Sequence, residues 1–463
     1  MKEQYDFIVI GSGPAGQAAA MMAAKNGMKV ALVEKSSERV GGVCLNEGCI
    51  PAKSMFHTAE IIDSAKKYKD ILGLEQNRVK IDYAGILDKS REAVEKLKNG
   101  LLFVLKKNDI DLIFGTGSFK DKQTVCVVSA SGGKTDLRAG KILVAAGAKP
   151  KSLPGIEFDG KKIVTSSDIM SLDVLPGNIA IIGAGAIGVE FASYFNLLGT
   201  DVTLIEAEKT ILPLEDKETA KALSSVFRKR GINIKTERFV KSVKVSGEKV
   251  KVIITAGGDS ELNEYDLVLI STGRSPSTGQ LQLGAIGIET DRDGFIKVDK
   301  HFKTSIENIY AAGDIVQTPM LAHVASAEGE QVVKTFLGGR VLELNYSHIP
   351  NAVYSKVKVA SIGFTEELLK KKQINYKSGK HFFKANGRAV VAEEDQGFIK
   401  ILADSDTRKI LGVHIVGHNA DEIIHEFVVA VKYGLTVEAV SEIVHAHPTF
   451  SESAAAAAKS VFK

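Results

Sequence analysis

The strongest constraint on the fold is a strand–turn–helix–strand pattern that occurs twice in this 463-residue chain. In the first copy, apolar residues 7–10 lead into the turn Gly11-x-Gly13-x-x-Gly16, an Ala-rich helix follows, and a second apolar strand ends at Glu34. The glycines permit a tight turn, close approach of the backbone to a pyrophosphate, and close packing of the helix on the strand. We therefore predict a βαβ unit with a dinucleotide at the helix N-terminus and ribose hydroxyls on Glu34.

The second copy repeats this pattern in the middle of the chain. Residues 178–182 form the strand, Gly183, Gly185 and Gly188 form the turn, and the next strand ends at Glu206. The interval from first glycine to glutamate is the same in both copies. One such turn is weak evidence, but two in matching context predict two bound dinucleotides. An acid at position 206 favours the free 2′-hydroxyl of NAD and repels the 2′-phosphate of NADP.

A close pair of thiols, Cys44 and Cys49, lies just after the first copy. The chain contains only one other cysteine, Cys126. No second Cys or His pair stands at zinc-ligand spacing, and three cysteines are too few for a secreted disulfide framework. The pair is therefore predicted to cycle between dithiol and disulfide, whereas Cys126, within an apolar strand, is predicted to be an inert buried thiol.

Two further motifs place polar groups where chemistry needs them. A strand that ends in Ala-Gly-Asp places the Asp314 carboxylate to bind the ribityl hydroxyls of a flavin. Near the C-terminus, His447 precedes Pro448, and Glu452 follows five positions after the histidine. Alone, such a histidine is more often a surface residue. Beside a redox dithiol, which needs a proton acceptor, it is predicted to form an acid–base pair with Glu452.

Composition excludes several classes of protein. The net charge of +4 is small for this length, so no nucleic-acid partner is implied, and no metal site is expected. No apolar stretch approaches the roughly 20 residues that span a bilayer, and no signal or transit segment fits before the first strand. We expect a cytoplasmic protein, or a mature mitochondrial form that has been trimmed.

Three local expectations complete the reading of the chain. Asp216 and Glu218 are expected on the surface of the second dinucleotide-binding region, and residues 389–392 are expected to form a short strand. His445 is expected to be a structural hydrogen-bonding residue and not the base.

Taken in order, these motifs resemble those of the FAD-dependent pyridine nucleotide–disulfide oxidoreductases, in particular the dihydrolipoamide dehydrogenase branch. The similarity spans the chain through both glycine turns, Cys-x4-Cys-Ile-Pro-x-Lys, Thr-Gly-Arg, Ala-Gly-Asp and His-x-His-Pro-Thr-x-Ser-Glu. Assignment to the branch depends on Met320-Leu321-Ala322-His323 and Glu206.

The resemblance implies an α/β fold with two Rossmann-like dinucleotide-binding domains and a C-terminal α+β dimerisation domain. The expected division is an FAD-binding domain at 1–149, an NAD-binding domain at 150–275, a central part at 276–345 that completes the FAD domain, and the dimerisation domain at 346–463.

It also implies which residues hold the two cofactors, FAD and NAD. The residues expected around FAD are Gly11, Gly13, Gly16, Glu34, Lys53, Gly117, Asp314 and Ala322. Those expected around NAD are Gly183, Gly185, Gly188, Glu206, Val240 and Gly273.

By the same resemblance, Cys49 faces the flavin and Cys44 exchanges with substrate in a redox disulfide. Lys53 lies near the flavin and pairs with Glu190. His447, held by Glu452, is the base and reaches Cys44 from the partner subunit, so a homodimer is expected.

The implied activity is oxidation of dihydrolipoamide to lipoamide with reduction of NAD to NADH. The implied partner is a lipoylated carrier domain or protein of a 2-oxoacid dehydrogenase or glycine cleavage complex. Alternatives are a related disulfide or metal-ion reductase, a diaphorase, or a flavin-bearing scaffold without turnover. The sequence departs from the family at Ser355-Lys356-Val357-Lys358, where a Thr-x-Pro-Glu-like run is usual.

Overall fold

The computed structural model describes residues 3–74, 80–339 and 343–463 of the chain. Its strands, in chain order, are β1 (Glu3–Ile10), β2 (Val30–Glu34), β3 (Asp111–Phe114), β4 (Thr116–Asp121), β5 (Thr124–Val128), β6 (Lys134–Val144), β7 (Ala148–Pro150), β8 (Ile163–Val164), β9 (Asn178–Ile182), β10 (Asp201–Ile205), β11 (Asn233–Lys235), β12 (Phe239–Ser246), β13 (Lys249–Ala256), β14 (Asp259–Tyr265), β15 (Leu267–Ile270), β16 (Arg274–Pro276), β17 (Ile309–Ala311), β18 (Asn351–Val353), β19 (Lys358–Gly363), β20 (Tyr376–Phe382), β21 (Phe398–Asp404) and β22 (Ile410–Gly417).

The α-helices, in the same order, are α1 (Pro14–Lys25), α2 (Gly42–Asn46), α3 (Cys49–Lys67), α4 (Tyr83–Lys107), α5 (Ala186–Leu198), α6 (Lys217–Lys229), α7 (Leu283–Ile286), α8 (Ala322–Phe336), α9 (Glu366–Lys371), α10 (Gly387–Val391), α11 (Ala420–Tyr433), α12 (Val437–Ser441) and α13 (Glu452–Lys459).

The chain divides into two compact units. The first comprises residues 1–55, 84–151 and 273–344. It is built on a sheet in the order β3-β2-β1-β6-β5-β4, with β17 paired to β6. Strands β1, β2, β3, β6 and β17 run parallel, which brings their carboxyl ends to one edge of the sheet. A ligand at this edge meets the glycine turn after β1 and the Gly-Asp segment after β17.

Helix α1 fits closely into this unit because its buried residues are small. Ala15, Ala19, Ala20 and Ala23 are buried on this helix. Where α8 crosses it, a Cβ on Gly329 would lie 2.2 Å from the Ala15 carbonyl oxygen, so only glycine permits the observed approach. The close packing of α8 against α1 holds the N-terminal end of α1, and with it the glycine turn, in place.

The second unit comprises residues 56–83, 152–272 and 345–463. A parallel sheet in the order β11-β10-β9-β15-β8 carries the second glycine turn after β9. A three-stranded antiparallel sheet, β12-β13-β14, adjoins it in sequence. Residues after 345 form an antiparallel sheet, β18-β19-β22-β21-β20, whose apolar core includes residues of α11 and α13.

These sheets confirm the predicted fold class, two Rossmann-like βαβ regions followed by an α+β region. The four residue ranges proposed as domains remain a prediction. The structure groups residues 56–83, the distal part of α3 and the segment after it, with the second unit.

Two local expectations are wrong. Residues 389–392 fall in helix α10 and at its end, because Asn386 caps this helix by accepting the Ala389 N–H at 2.9 Å. Asp216 is buried, with 1% of its surface exposed, while Glu218 is partly exposed and bonded to Lys400. The local sequence resembles a solvated helix start, and the cation that pairs with Asp216 lies 184 residues away.

Candidate active site

The two thiols of the predicted redox pair lie side by side in the first unit. Cys44 belongs to α2 and Cys49 is the first residue of α3, and both are free thiols. A hydrogen bond with Cys49, together with burial, raises the pKa of Cys44 above its ordinary value. The hydrogen bond and burial therefore both disfavour a thiolate at Cys44.

The position of Cys49 at the start of α3 favours a thiolate at this residue. Free N–H groups at the start of a helix stabilise a thiolate. Lys53 lies one turn further along α3, and its positive charge acts on the same pair, opposing the rise in the Cys44 pKa. The surroundings of the two sulfurs therefore differ: the hydrogen bond and burial disfavour a thiolate at Cys44, whereas the start of α3 favours one at Cys49.

The first glycine turn is shaped as an anion cradle. Gly11 has a φ of +107°, and a Cβ on Gly16 would lie 1.9 Å from the Gly11 carbonyl oxygen, so neither position admits a side chain without displacement. A Cβ on Gly13 would meet nothing within 4 Å. Gly13 is also the N-cap of α1 and supplies no side-chain cap. Open space in front of uncapped helix N–H groups fits a pyrophosphate.

Glu34 is placed beside this cradle. One carboxylate oxygen accepts the Ser12 N–H at 3.0 Å and the Ser12 hydroxyl at 2.6 Å, and the other accepts the Lys35 N–H at 2.7 Å. A carboxylate has about four acceptor sites, so capacity for ribose hydroxyls remains. Gly117 lies against the same region, since its Cβ would stand 3.4 Å from the side chains of Ile10 and Val33.

Asp314 and Ala322 come from the later part of the first unit. Asp314 follows β17, and its carboxylate lies 3.7 Å from the Arg274 guanidinium. Burial raises the pKa of Asp314, an effect that Arg274 only partly offsets. Hydroxyl donors from a ribityl chain would stabilise this carboxylate. Ala322 is the first residue of α8. The donor set, the open cradle and the partly buried Asp314 carboxylate fit FAD.

The second glycine turn reproduces the first in detail. Gly183 has a φ of +99°, a Cβ on Gly188 would lie 1.9 Å from the Gly183 carbonyl oxygen, and a Cβ on Gly185 would meet nothing within 4 Å. Gly185 is the N-cap of α5, again without a side-chain cap. Glu206 accepts the Ala184 N–H at 2.6 Å, as Glu34 accepts that of Ser12.

Glu206 stands where an adenosine ribose would lie if NAD occupies this turn. Its second oxygen accepts the Glu208 N–H at 2.8 Å, and its main-chain carbonyl accepts the Arg238 N–H at 3.0 Å. Val240 follows two residues later, half-buried in β12. Gly273 has a φ of +120°, and its Cβ would meet nothing within 4 Å. These features fit NAD, but the roles of Val240 and Gly273 remain predictions.

His447 and Glu452 are in contact, and their acid–base role remains a prediction. His447 Nδ1 lies 2.9 Å from one oxygen of Glu452, and the other oxygen accepts the Thr449 N–H at 2.8 Å. These two hydrogen bonds, that of Thr449 first, hold the pKa of Glu452 below its ordinary value. Because the ionised carboxylate accepts from Nδ1, the lone pair of the imidazole is on Nε2. The side chain is 76% exposed, so Nε2 can receive a proton from a substrate.

A second histidine–glutamate pair lies beside the first. His445 Nε2 is 3.2 Å from both carboxylate oxygens of Glu426 on α11, and the imidazole is only 10% exposed. Its Nε2 is thereby engaged, which is consistent with the structural role expected for His445.

Glu190 lies on α5 and is buried, with 8% of its surface exposed. Its carboxylate accepts the Tyr354 N–H at 2.9 Å, directly before the unusual segment at 355–358. In that segment Lys356 pairs with Glu394 at 2.8 Å and Lys358 pairs with Asp421 at 2.9 Å. The predicted pairing of Lys53 with Glu190 remains a prediction.

Sequence reasoning missed two residues that shape the first site. The buried Ser12 hydroxyl donates to Glu34 and accepts the Gly41 N–H at 3.0 Å, which ties the cysteine-bearing segment to the glycine turn. A Cβ on Gly42 would lie 2.6 Å from the Cα of Gly13. The adjacent glycines Gly41 and Gly42 were a sequence signal for this close approach. Ser12 gave no such signal, because it stands at a position that the glycine pattern leaves unspecified.

Among residues 3–74, 80–339 and 343–463, no helix has the length and apolar character needed to cross a membrane. Within the same ranges, no group of three or more His, Cys, Asp or Glu side chains is arranged to hold a metal ion.

Known proteins are similar to this chain over its whole length. Dihydrolipoyl dehydrogenase from mitochondria of Pisum sativum is 38% identical over 99% of this chain and 92% of its own. A leghemoglobin reductase of Vigna unguiculata is also 38% identical, over 99% and 88%. The Cu(II) complex of the HOCl-induced flavoprotein disulfide reductase RclA from Escherichia coli superimposes with a TM-score of 0.89 at 27% identity, covering 99% of both chains.

Family models match two parts of the chain. Residues 5–329 match the pyridine nucleotide-disulphide oxidoreductase model, and residues 349–458 match the dimerisation domain of the same family. FAD and NAD are the cofactors of this family and of its dihydrolipoyl dehydrogenase members, and the dimerisation domain indicates a homodimer. The chain belongs to the pyridine nucleotide-disulphide oxidoreductase family.

Proposed function

We propose that this protein is a dihydrolipoamide dehydrogenase, which oxidises dihydrolipoamide to lipoamide and reduces NAD to NADH. The observation that carries the proposal is the pair of thiols in unequal surroundings, with Cys49 at the N-terminus of α3 and Cys44 hydrogen-bonded to it and partly buried. The 38% identity to the pea enzyme over nearly the whole chain supports the choice of substrate.

The oxidised pair, a Cys44–Cys49 disulfide, reacts by two thiol exchanges. A substrate thiol attacks the sulfur of Cys44, its proton passes to Nε2 of His447, and Cys49 leaves as the thiolate. The second substrate thiol then attacks the mixed disulfide, releasing lipoamide and leaving Cys44 as the thiol. FAD, held at the first glycine turn, would supply two-electron transfer from the Cys44–Cys49 dithiol to NAD, and loss of those electrons from the dithiol would restore the disulfide.

The protein's own groups lower the barrier at each exchange. The N-terminal N–H groups of α3 and the ammonium of Lys53 stabilise the departing Cys49 thiolate. Glu452 orients the imidazole of His447 and stabilises its protonated form. In this proposal His447 serves Cys44 of the partner subunit, so that a complete site requires the homodimer.

The proposed partner is a lipoylated carrier of a 2-oxoacid dehydrogenase or glycine cleavage complex, because a tethered dihydrolipoyl group presents the required dithiol. A pull-down with lipoylated and unlipoylated carrier domains tests this partner. The relatives of this chain include mitochondrial and bacterial proteins, and a cytoplasmic location for this protein remains a prediction.

Steady-state kinetics test the activity. The FAD-loaded dimer is assayed with dihydrolipoamide and NAD, and in parallel with NADPH and glutathione disulfide. We expect turnover with the first pair at a kcat of about 1–10³ s⁻¹ and little with the second. Absence of dihydrolipoamide oxidation by FAD-loaded protein would rule out the proposed activity.

A second candidate is a reductase of another disulfide or of a metal ion. Its support is the similarity to RclA, a flavoprotein disulfide reductase solved as a Cu(II) complex. This candidate predicts that NADH oxidation is accelerated more by Cu(II) or a small disulfide than by lipoamide. The same protein preparation, assayed with each acceptor in turn, distinguishes the two candidates.

A further inference from the structure

An ionic cluster lies buried in the second unit, away from the thiols and the His447 pair in sequence. Lys400 on β21 is fully buried, and its ammonium lies 2.9 Å from both carboxylate oxygens of Asp216. Glu218 is 2.8 Å away and Glu366 3.4 Å away. Burying an ammonium is costly unless several partners compensate it, and uncharged residues often serve stability equally well. Stability alone therefore does not explain why a lysine occupies this buried position.

The charges of the cluster sustain one another. Burial disfavours ionisation of Asp216, yet His414 and Lys400 hold the pKa of Asp216 below its ordinary value. Lys380 and Lys400 have the same effect on the pKa of Glu218, also against burial. Although burial alone would lower the pKa of Lys400, these carboxylates raise it. The charged forms of Asp216 and Lys400 are therefore favoured by their partners despite burial.

Asp216 connects the cluster to the start of a helix. It caps α6 by accepting the Glu218 N–H at 3.1 Å through the oxygen Oδ1, which also contacts Lys400. Its neighbour Glu215 accepts the Asn351 amide at 2.6 Å. The segment 207–216 thus ends at two anchors, both provided by residues of the sheet after 345.

The other end of this segment contacts the second glycine turn. Glu206, directly before the segment, accepts the Ala184 N–H at 2.6 Å, and the Leu212 N–H within the segment donates to the Ala184 carbonyl at 2.8 Å. Ala184 lies between Gly183 and Gly185. Both polar groups of this peptide position are therefore engaged by 206–212, and the turn cannot shift unless the segment shifts with it.

We propose that Lys400 is a positioning residue for the pyridine nucleotide: through Asp216 and the segment 207–216 it holds the Gly183–Gly188 turn in the geometry that binds the NAD pyrophosphate. This inference rests on NAD being the nucleotide at this turn, as in the proposed function. The link between Lys400 and the turn is indirect: it runs through the Asp216 carboxylate, the segment 207–216, and the hydrogen bonds that Glu206 and Leu212 make with Ala184.

The test compares NAD affinity in the FAD-loaded dimer for three variants and the unchanged protein. Lys400→Met removes the ammonium at similar length, and Asp216→Asn is a milder change that keeps an acceptor for the α6 cap. We expect the dissociation constant for NAD, measured by calorimetry, to rise roughly tenfold or more in both. Lys380→Met, the matched control, removes the more exposed cation that contacts Glu218 at 2.6 Å and should change affinity by less than about twofold.

A double variant separates positioning from stability. In Lys400→Met/Asp216→Asn the unpaired Asp216 charge is gone, so thermal stability should recover relative to Lys400→Met. The ionic contact between positions 400 and 216 remains absent, so NAD affinity should stay weak. Recovery of affinity together with stability would overturn the proposal, as would unchanged affinity in Asp216→Asn if Lys400→Met fails to fold.

This result is independent of the dithiol substrate. Calorimetry needs no lipoamide turnover, so a protein that fails to oxidise dihydrolipoamide still reports on Lys400. Conversely, if all variants bind NAD equally and oxidise dihydrolipoamide, the role of Lys400 is wrong while the proposed function stands. Separate measurement of kcat and of the KM for NAD gives a second readout. A positioning role raises the KM for NAD more than it lowers kcat.

Discussion

At the scale of single residues, the site depends on two side chains of the same type in unequal surroundings. Cys49 begins a helix and has Lys53 one turn away, whereas the hydrogen bond with Cys49 and partial burial raise the pKa of Cys44. The sequence predicted a thiol pair from spacing alone, and the family resemblance supplied the roles. The physical reason for those roles, a helix terminus beneath one sulfur, is visible only once α2 and α3 are located.

His447 provides the first prediction at this scale. His447→Gln removes the proton acceptor, and we expect dihydrolipoamide oxidation to fall about 10²- to 10⁴-fold. NADH oxidation by ferricyanide needs no base at the thiols and should be retained. Stopped-flow and steady-state assays of the FAD-loaded variant measure both activities.

His445→Gln is the matched control for this change. His445 has its Nε2 engaged by Glu426, so its loss should affect dihydrolipoamide oxidation far less than the loss of His447. Equal losses in the two variants would show that the histidines act through local structure and not through proton transfer.

At the scale of elements, the two glycine turns show that glycine serves two physical purposes. Gly13 and Gly185 face open space, while Gly16 and Gly188 permit backbone contact within their own turns. The sequence pattern predicted these turns, their helices and the glutamates that follow. The equivalent hydrogen bonds that the Ser12 and Ala184 N–H groups donate to those glutamates are visible only in the folded structure.

A pair of substitutions in the first turn tests this distinction. Gly13→Ala places a methyl group where the pyrophosphate is proposed to lie, so FAD content should fall while the apoprotein loses less than about 1 kcal/mol. Gly16→Ala forces the helix away from the turn and should cost about 1–3 kcal/mol. Thermal unfolding of apoprotein and flavin absorbance of the purified protein measure the two effects. Normal flavin content in Gly13→Ala would contradict the proposed cradle.

The segment that departs from the family shows how a reversed charge is accommodated. Lys358, where a glutamate is usual, pairs with Asp421 at 2.9 Å, and the two side chains are 21% and 10% exposed. Burial raises the pKa of nearby Glu60, while Lys356 and Lys358 oppose that rise. The two lysines therefore balance a local group of acids.

Restoring the acid should therefore destabilise this protein. Lys358→Glu places like charges at Asp421 and should reduce the free energy of unfolding by about 2–4 kcal/mol. Lys251→Glu is the control, because Lys251 faces Glu264 at 3.7 Å on an exposed strand pair, and should cost about 0–1 kcal/mol. Urea unfolding at one fixed protein concentration measures both. Equal costs would mean that the Lys358 pair adds no more than a surface contact.

At the scale of the whole molecule, the proposed chemistry belongs to the dimer. If His447 serves Cys44 of the partner subunit, two inactive variants can complement each other. Cys44→Ala and His447→Gln homodimers should each be inactive. A refolded equimolar mixture should regain about a quarter of the unchanged activity, since half the dimers are mixed and each has one complete site of two. No regained activity, with mixed dimers verified by mass spectrometry, would place His447 and Cys44 in the same subunit.

The sequence alone determined the two βαβ units, the acid that ends each, the close spacing of the two thiols and the His447–Glu452 contact, because each is encoded within a short stretch of chain. Tertiary structure decided the rest. Lys400 meets Asp216 across 184 residues, and Ser12 bonds to Glu34 and Gly41 across folded distances. Asp216 was misread as a surface residue for this reason: burial and charge pairing depend on groups that only folding brings together, and no local pattern records them.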